Sequence, residues 1–86
     1  MTTLSRSIKK TRRPVPKKLR DQIFERDNYR CRLQLEGCVG VAQEVDHRVP
    51  FSECQRRGWT KEQTNDPSNL QASCSTCNRR KGVKQI

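Results

Sequence analysis

The stretch Cys74-Ser75-Thr76-Cys77-Asn78-Arg79-Arg80-Lys81-Gly82 sets two cysteines at a spacing that lets both sulfurs face one ion from a tight turn. A short basic helix follows, which Gly82 is suited to end. A second pair, Cys31 and Cys38, lies upstream, with Glu36-Gly37 as a turn signal before the second sulfur. The four sulfurs together suit a tetrahedral thiolate site for zinc. Two other readings compete: a redox dithiol, which wants a βαβ context that this chain does not offer, and a pair of disulfides.

The remainder of the composition favours the ion. Leu, Ile, Val and Phe number 16 of 86 residues, and the net charge is +10, a balance that ordinarily marks a disordered chain. A chain of this length has room for one small domain whose core leaves only a few kcal/mol, roughly, of stability. A closed zinc site contributes about 10–16 kcal/mol of apparent folding free energy, so folding is expected to depend on it. No apolar run is long enough to span a bilayer and no signal-like segment opens the chain, so the expected setting is a reducing cytoplasm with no membrane partner. The odd cysteine count points the same way, and Cys54 is left as a free thiol in a polar loop.

Charge is distributed unevenly. Residues 1–32 carry 11 Lys and Arg against 3 acids, residues 33–78 carry 4 against 6, and residues 79–86 carry 4 against none. Two basic segments around a slightly acidic centre suit a polyanion with regularly repeated phosphates, which makes nucleic acid the expected partner. For the first 13 residues alone, a solvated arm without a partner is the plain alternative.

Residues 1–16 read as a basic arm and a Pro-containing link, and residues 17–86 as the folded domain. Leu19, Ile23 and Phe24 predict an amphipathic helix from Lys17 to Asp27. The valines of Val39 to Pro50 predict a short hairpin or two bent strands, Phe51 to Asp66 a connecting loop with at most one helical turn, and Pro67 to Leu70 a turn. Within the valine segment, Val45-Asp46-His47-Arg48-Val49-Pro50 puts the sole histidine directly after a carboxylate. Adjacent side chains diverge on a strand, so the two are poorly placed to share a metal shell and well placed to flank a substrate atom. Alone, such a dipeptide is better explained by a satisfied surface pair.

Four blocks taken in order carry more weight: Tyr29-Arg30-Cys31, Val45 to Pro50, Asp66-Pro67-Ser68-Asn69-Leu70-Gln71, and Cys74 to Gly82. Their order and spacing closely resemble the HNH nuclease family, in particular its small zinc-stapled members of bacteriophages and prophages. The resemblance runs from about Lys17 to Gly82. It implies an α+β domain with a ββα-metal (His-Me finger) core, an N-terminal helix and a four-cysteine zinc knuckle of Cys31, Cys38, Cys74 and Cys77. By the same resemblance Asp46 is a ligand of a catalytic divalent ion, His47 the general base, Asn69 the asparagine that braces the loop, and Asn78 a second ligand. An amide stands at the last position where many relatives have histidine, and oxygen donors favour Mg²⁺ or Mn²⁺. Arg48, Arg79, Arg80 and Lys81 are expected to hold flanking DNA phosphates, each being otherwise an ordinary solvated charge.

The implied activity is hydrolysis of DNA phosphodiester bonds, with a phage DNA-packaging terminase as a suggested partner. The rival is a non-catalytic zinc-stapled DNA-binding module, for which charge and cysteines suffice, and an RNA-directed nuclease stays open because nothing in the chain reads a 2′-hydroxyl. No element large enough to read a major groove is evident, so any site preference is expected to come from a partner.

Overall fold

Pro16 (φ −58°) starts helix α1, Lys17–Arg26, whose buried residue is Ile23. The computed structural model describes residues 15–86, so most of the basic arm and link expected over residues 1–16 lies outside the described residues. Ile23 packs with Leu70 and Ala72, and Val15, Leu19, Phe24, Ala42 and Val45 close around them. Full burial of a side chain such as Ile23 is worth about 1.5–3 kcal/mol. Asn28 and Tyr29 both take left-handed backbone (φ 56° and 57°). Asparagine tolerates that conformation readily, and it turns the chain sharply out of the helix. The Tyr29 N–H closes the end on the Phe24 carbonyl at 2.8 Å.

Asp27, the residue that caps α1, is also its main polar tie to the rest of the molecule. Its carboxylate accepts from Arg26 Nε at 2.8 Å, from Arg32 Nη1 at 2.9 Å and from the Ala72 N–H at 2.9 Å. Arg26 Nη2 reaches on to the Leu70 carbonyl at 2.8 Å, so both members of the pair grip the same strand. Burial by itself would raise the Asp27 carboxyl, but hydrogen bonds from Arg26, the Ala72 N–H and Arg32 outweigh it and hold the carboxyl below its usual value.

Strand β1, Glu44–His47, pairs antiparallel with β2, Leu70–Ser73, in the register Glu44 to Ser73, Val45 to Ala72, Asp46 to Gln71 and His47 to Leu70. The hairpin expected within Val39 to Pro50 is therefore not formed. Val39 and Val41 are exposed, Val41 contributes only an isolated bridge to Arg30, and the partner of β1 comes from residues read as a turn and the stretch after it. Leu70 and Ala72 are wholly buried under α1, so tertiary packing overrode the weak strand propensity of Gln71-Ala72.

Phe51 to Asp66 is also more ordered than a connecting loop. It forms α2, Phe51–Arg56, after Pro50, and α3, Lys61–Thr64. Thr60 starts α3 with a reciprocal capping box: its hydroxyl accepts from the Gln63 N–H at 3.1 Å, and Gln63 Oε1 accepts from the Thr60 N–H at 2.7 Å. Cys54 is not a loop thiol either; it is buried in α2 and its sulfur donates to the Val49 carbonyl. A 3₁₀ turn, Pro67–Asn69, leads into β2, and α4, Ser75–Lys81, follows and ends at Gly82 with φ 58°. Two strands followed by a helix laid against β1 make this a small α+β domain with a ββα core.

Candidate active site and metal centre

The alternation of β1 gives its two faces different neighbours. Glu44 and Asp46 share a face with Gln71 of β2 and look toward α4, while Val45 packs on the α1 side. Asp46 is buried, and its Oδ2 accepts from Gln71 Nε2 at 3.0 Å and lies 3.3 Å from Lys81 Nζ. Both contacts fall on one oxygen; no described residue donates to Oδ1. Asn78 is fixed in a similar one-sided way, since its Nδ2 donates to Glu44 Oε1 at 2.6 Å and its Oδ1 accepts from no described residue.

His47 sits at the end of β1, where its Nε2 lies 2.8 Å from Asn65 Oδ1. An amide oxygen only accepts, so Nε2 carries a proton, and in the neutral ring the lone pair is then on Nδ1. Asn69 is buried beneath the loop that follows β1. Its Oδ1 accepts from the Val49 N–H at 2.8 Å and its Nδ2 donates to the Thr64 carbonyl at 2.9 Å, joining that loop to the end of α3. An open cleft of about 590 Å³ receives Asp46, His47 and Asn78 in its lining, together with Glu44, Ser75 and Arg79.

The four sulfurs of Cys31, Cys38, Cys74 and Cys77 lie within 4.8 Å of one another, on the far end of α4 from Gly82. Leu33 packs into this cluster, with Leu35 beside it. Backbone donors point at the sulfurs: Leu35 N–H to Cys77 Sγ at 3.3 Å, Gly40 N–H to Cys38 Sγ at 3.3 Å, and Cys77 N–H to Cys74 Sγ at 3.4 Å. Such donors favour thiolate. The Val39 and Cys77 N–H groups draw Cys74 down to about 6, whereas burial pushes Cys77 up to about 12. Four thiols held this close can hold a metal ion, and they suit a closed tetrahedral site. Gly37 turns the chain beside this knuckle with a left-handed backbone (φ 84°) that residues with side chains rarely adopt.

The four cations expected on DNA have different fates. Arg48, Arg79 and Arg80 are exposed, and Arg79 lines the cleft. Lys81 corrects the expectation. It is 1% exposed, and its ammonium is directed inward to the His47 carbonyl at 3.0 Å and to Asp46, so it is not presented to a strand. Its position in α4, one turn after Cys77 and on the same buried side, decides this.

The family model for the HNH endonuclease matches residues 30–84. The chain belongs to the HNH endonuclease family. A comparison with curated proteins and one with solved structures gave no match. The matched span starts just before the first knuckle cysteine and takes in β1, β2 and α4, so it contains every residue of the cleft named above. The HNH assignment places the chain among nuclease-type proteins that act on DNA. No helix among the described residues is long and apolar enough to cross a membrane.

HNH nucleases use a divalent ion, and the cleft offers donors that fit one. Asp46 Oδ1 and Asn78 Oδ1 are oxygen atoms without a donor among the described residues, each on a side chain fixed through its other polar atom. Oxygen donors of this kind suit a hard cation. Sequence reasoning missed Glu44, Asn65 and Gln71. Glu44 was accessible to it, because residue i−2 from Asp46 shares the strand face. Asn65 carried no signal, since only the folding of α3 brings it to His47.

Proposed function

We propose that this HNH protein is a metal-dependent DNA endonuclease that hydrolyses phosphodiester bonds. The observation that carries the reading is that His47, Asp46 and Asn78 line one cleft, with Nδ1 of the imidazole and one oxygen of each of the other two left without protein partners among the described residues. Asp46 and Asn78 would hold Mg²⁺ or Mn²⁺, which when bound supplies charge stabilisation at the scissile phosphate and its leaving oxygen.

His47 acts as general base. Asn65 holds its Nε2–H and thereby reserves Nδ1 to take a proton from the attacking water, a task suited to an imidazole near neutral pH. Attack in line expels the 3′ oxygen, which takes a proton from solvent, and leaves 5′-phosphate and 3′-hydroxyl ends. Asn69 keeps the loop after β1 in place beside the imidazole. Arg79 in the cleft lining and Arg48 next to His47 contact neighbouring phosphates, which position the strand without reading its sequence. Zinc in the four-cysteine cluster anchors α4, and with it Asn78, against β1. Work beside a phage packaging terminase is the setting that this kind of small nuclease suggests.

The test is cleavage of supercoiled plasmid across divalent ions by the wild type and His47→Ala, with zinc content measured on both. Nicked or linear product from the wild type in Mg²⁺ or Mn²⁺ is expected, and a loss of about 10²–10⁴-fold in the zinc-loaded variant. Salt-sensitive DNA binding with no cleavage under any divalent ion would instead assign a binding module.

A further inference from the structure

We infer that Glu44 is a positioning residue that sets which end of the Asn78 amide faces the cation. The inference rests on the proposed role of Asp46 and Asn78 as the ion-holding pair, and deepens it. An asparagine amide is nearly symmetric in shape, but only its oxygen can ligate a cation; the NH₂ end repels one. Nothing in the Asn78 side chain itself selects the productive orientation. Glu44 does so, because an ionised carboxylate can only accept, and its Oε1 lies 2.6 Å from Nδ2 of Asn78.

The placement follows from strand periodicity. Glu44 and Asp46 are two apart on β1 and project from one face, and α4 lies across that face. Asp46 thus meets Lys81 near the end of α4, while Glu44 meets Asn78 nearly one turn earlier. Asp46 and Asn78 are each gripped by one terminal atom: Gln71 and Lys81 occupy Oδ2 of the first, and Glu44 occupies Nδ2 of the second. The remaining oxygens are the ones that would serve the ion. Glu44 also lines the cleft, so its charge lies near the ion as well, and the experiment must separate orientation from charge.

Mn²⁺ affinity, measured by titration of the zinc-loaded full chain with detection of free Mn²⁺ by electron paramagnetic resonance, is compared for wild type, Glu44→Ala, Glu44→Gln and Asn78→Asp with and without Glu44→Ala. Plasmid cleavage is recorded on the same samples, and circular dichroism with zinc content checks the fold. Glu44→Ala is expected to weaken Mn²⁺ binding and cleavage by about 10–100-fold, the usual effect of losing a group that orients a ligand. Glu44→Gln removes the charge and brings an NH₂ group that can donate to Asn78 Oδ1, so it no longer fixes the amide and should also weaken binding. In the Asn78→Asp background both terminal atoms are oxygens and orientation ceases to matter, so adding Glu44→Ala should not weaken binding. A loss on Glu44→Ala that persists with Asn78→Asp would show that charge alone is at work and overturn the inference. Wild-type affinity in Glu44→Ala overturns it while leaving the ion-holding pair intact. A wild type that neither binds Mn²⁺ nor cleaves overturns the reading of that pair, and this inference with it.

Discussion

Lys81 Nζ lies 3.3 Å from Asp46 Oδ2 with both side chains withdrawn from solvent, so the last turn of α4 is pinned to β1 by a buried ion pair. The ammonium also donates to the His47 carbonyl at 3.0 Å, which ties it to two consecutive residues of β1. Charges moved out of water are costly unless both are compensated, and here each compensates the other.

Removing one partner should therefore be worse than removing both. Lys81→Met leaves the Asp46 carboxylate buried without its cation and is expected to cost about 3–5 kcal/mol. The pair Lys81→Met with Asp46→Asn should cost less than the sum of the single changes. Urea denaturation of the four members of this double-mutant cycle measures the coupling, and additive losses would show that the pair contributes nothing.

Asp27 predicts an acid dependence of known sign. Its folded carboxyl titrates below the ordinary value, so the stabilisation it gives is complete above the unfolded pKa of about 3.9 and drains away as pH falls through the lower folded value. Asp27→Asn should cost about 1.5–3 kcal/mol at neutral pH, from hydrogen bonds to a charged group. The stability gap between variant and wild type should shrink below about pH 4. Denaturant midpoints of both proteins over this range check it, since proton uptake elsewhere is common to both.

Withdrawal of zinc should unfold the domain. The buried core residues outside the cysteine cluster are few, and about 10–16 kcal/mol of apparent folding free energy resides in a site of this type. A strong chelator at neutral pH is expected to abolish the helical circular dichroism, with recovery on adding zinc back. Acid should ease the withdrawal, because protons compete with the ion for four thiolates. Retention of the full helical signal without metal would assign the cysteines a lesser role.

Asn65 should matter to cleavage more than to folding. Asn65→Leu frees the imidazole to rotate or change tautomer, and misplacement of a catalytic group by about 1 Å costs on the order of 10²-fold in rate. Single-turnover cleavage with Mn²⁺ affinity measured alongside separates the two effects: the rate should fall while the affinity holds.

The sequence by itself determined the candidate set of site residues. The cysteine spacing, the Asp46-His47 dipeptide, Asn69 and Asn78 were all legible, because each is a residue type tied to a task and the four blocks stand in a recognisable order. Helices α1 and α4 were legible as well, since periodicity and end signals act over a few neighbouring residues. Strand β2 and helices α2 and α3 were not. Leu70 and Ala72 become strand residues only under Ile23, and α3 rests on a capping exchange within a polar stretch. The partners of the site belong to the same class. Asn65 on His47, Glu44 on Asn78 and Lys81 on Asp46 are set by contacts between residues 18, 34 and 35 positions apart. Such contacts have no local signature: a lysine beside two arginines reads as a surface charge until the turn of the helix and the closeness of β1 carry it inside.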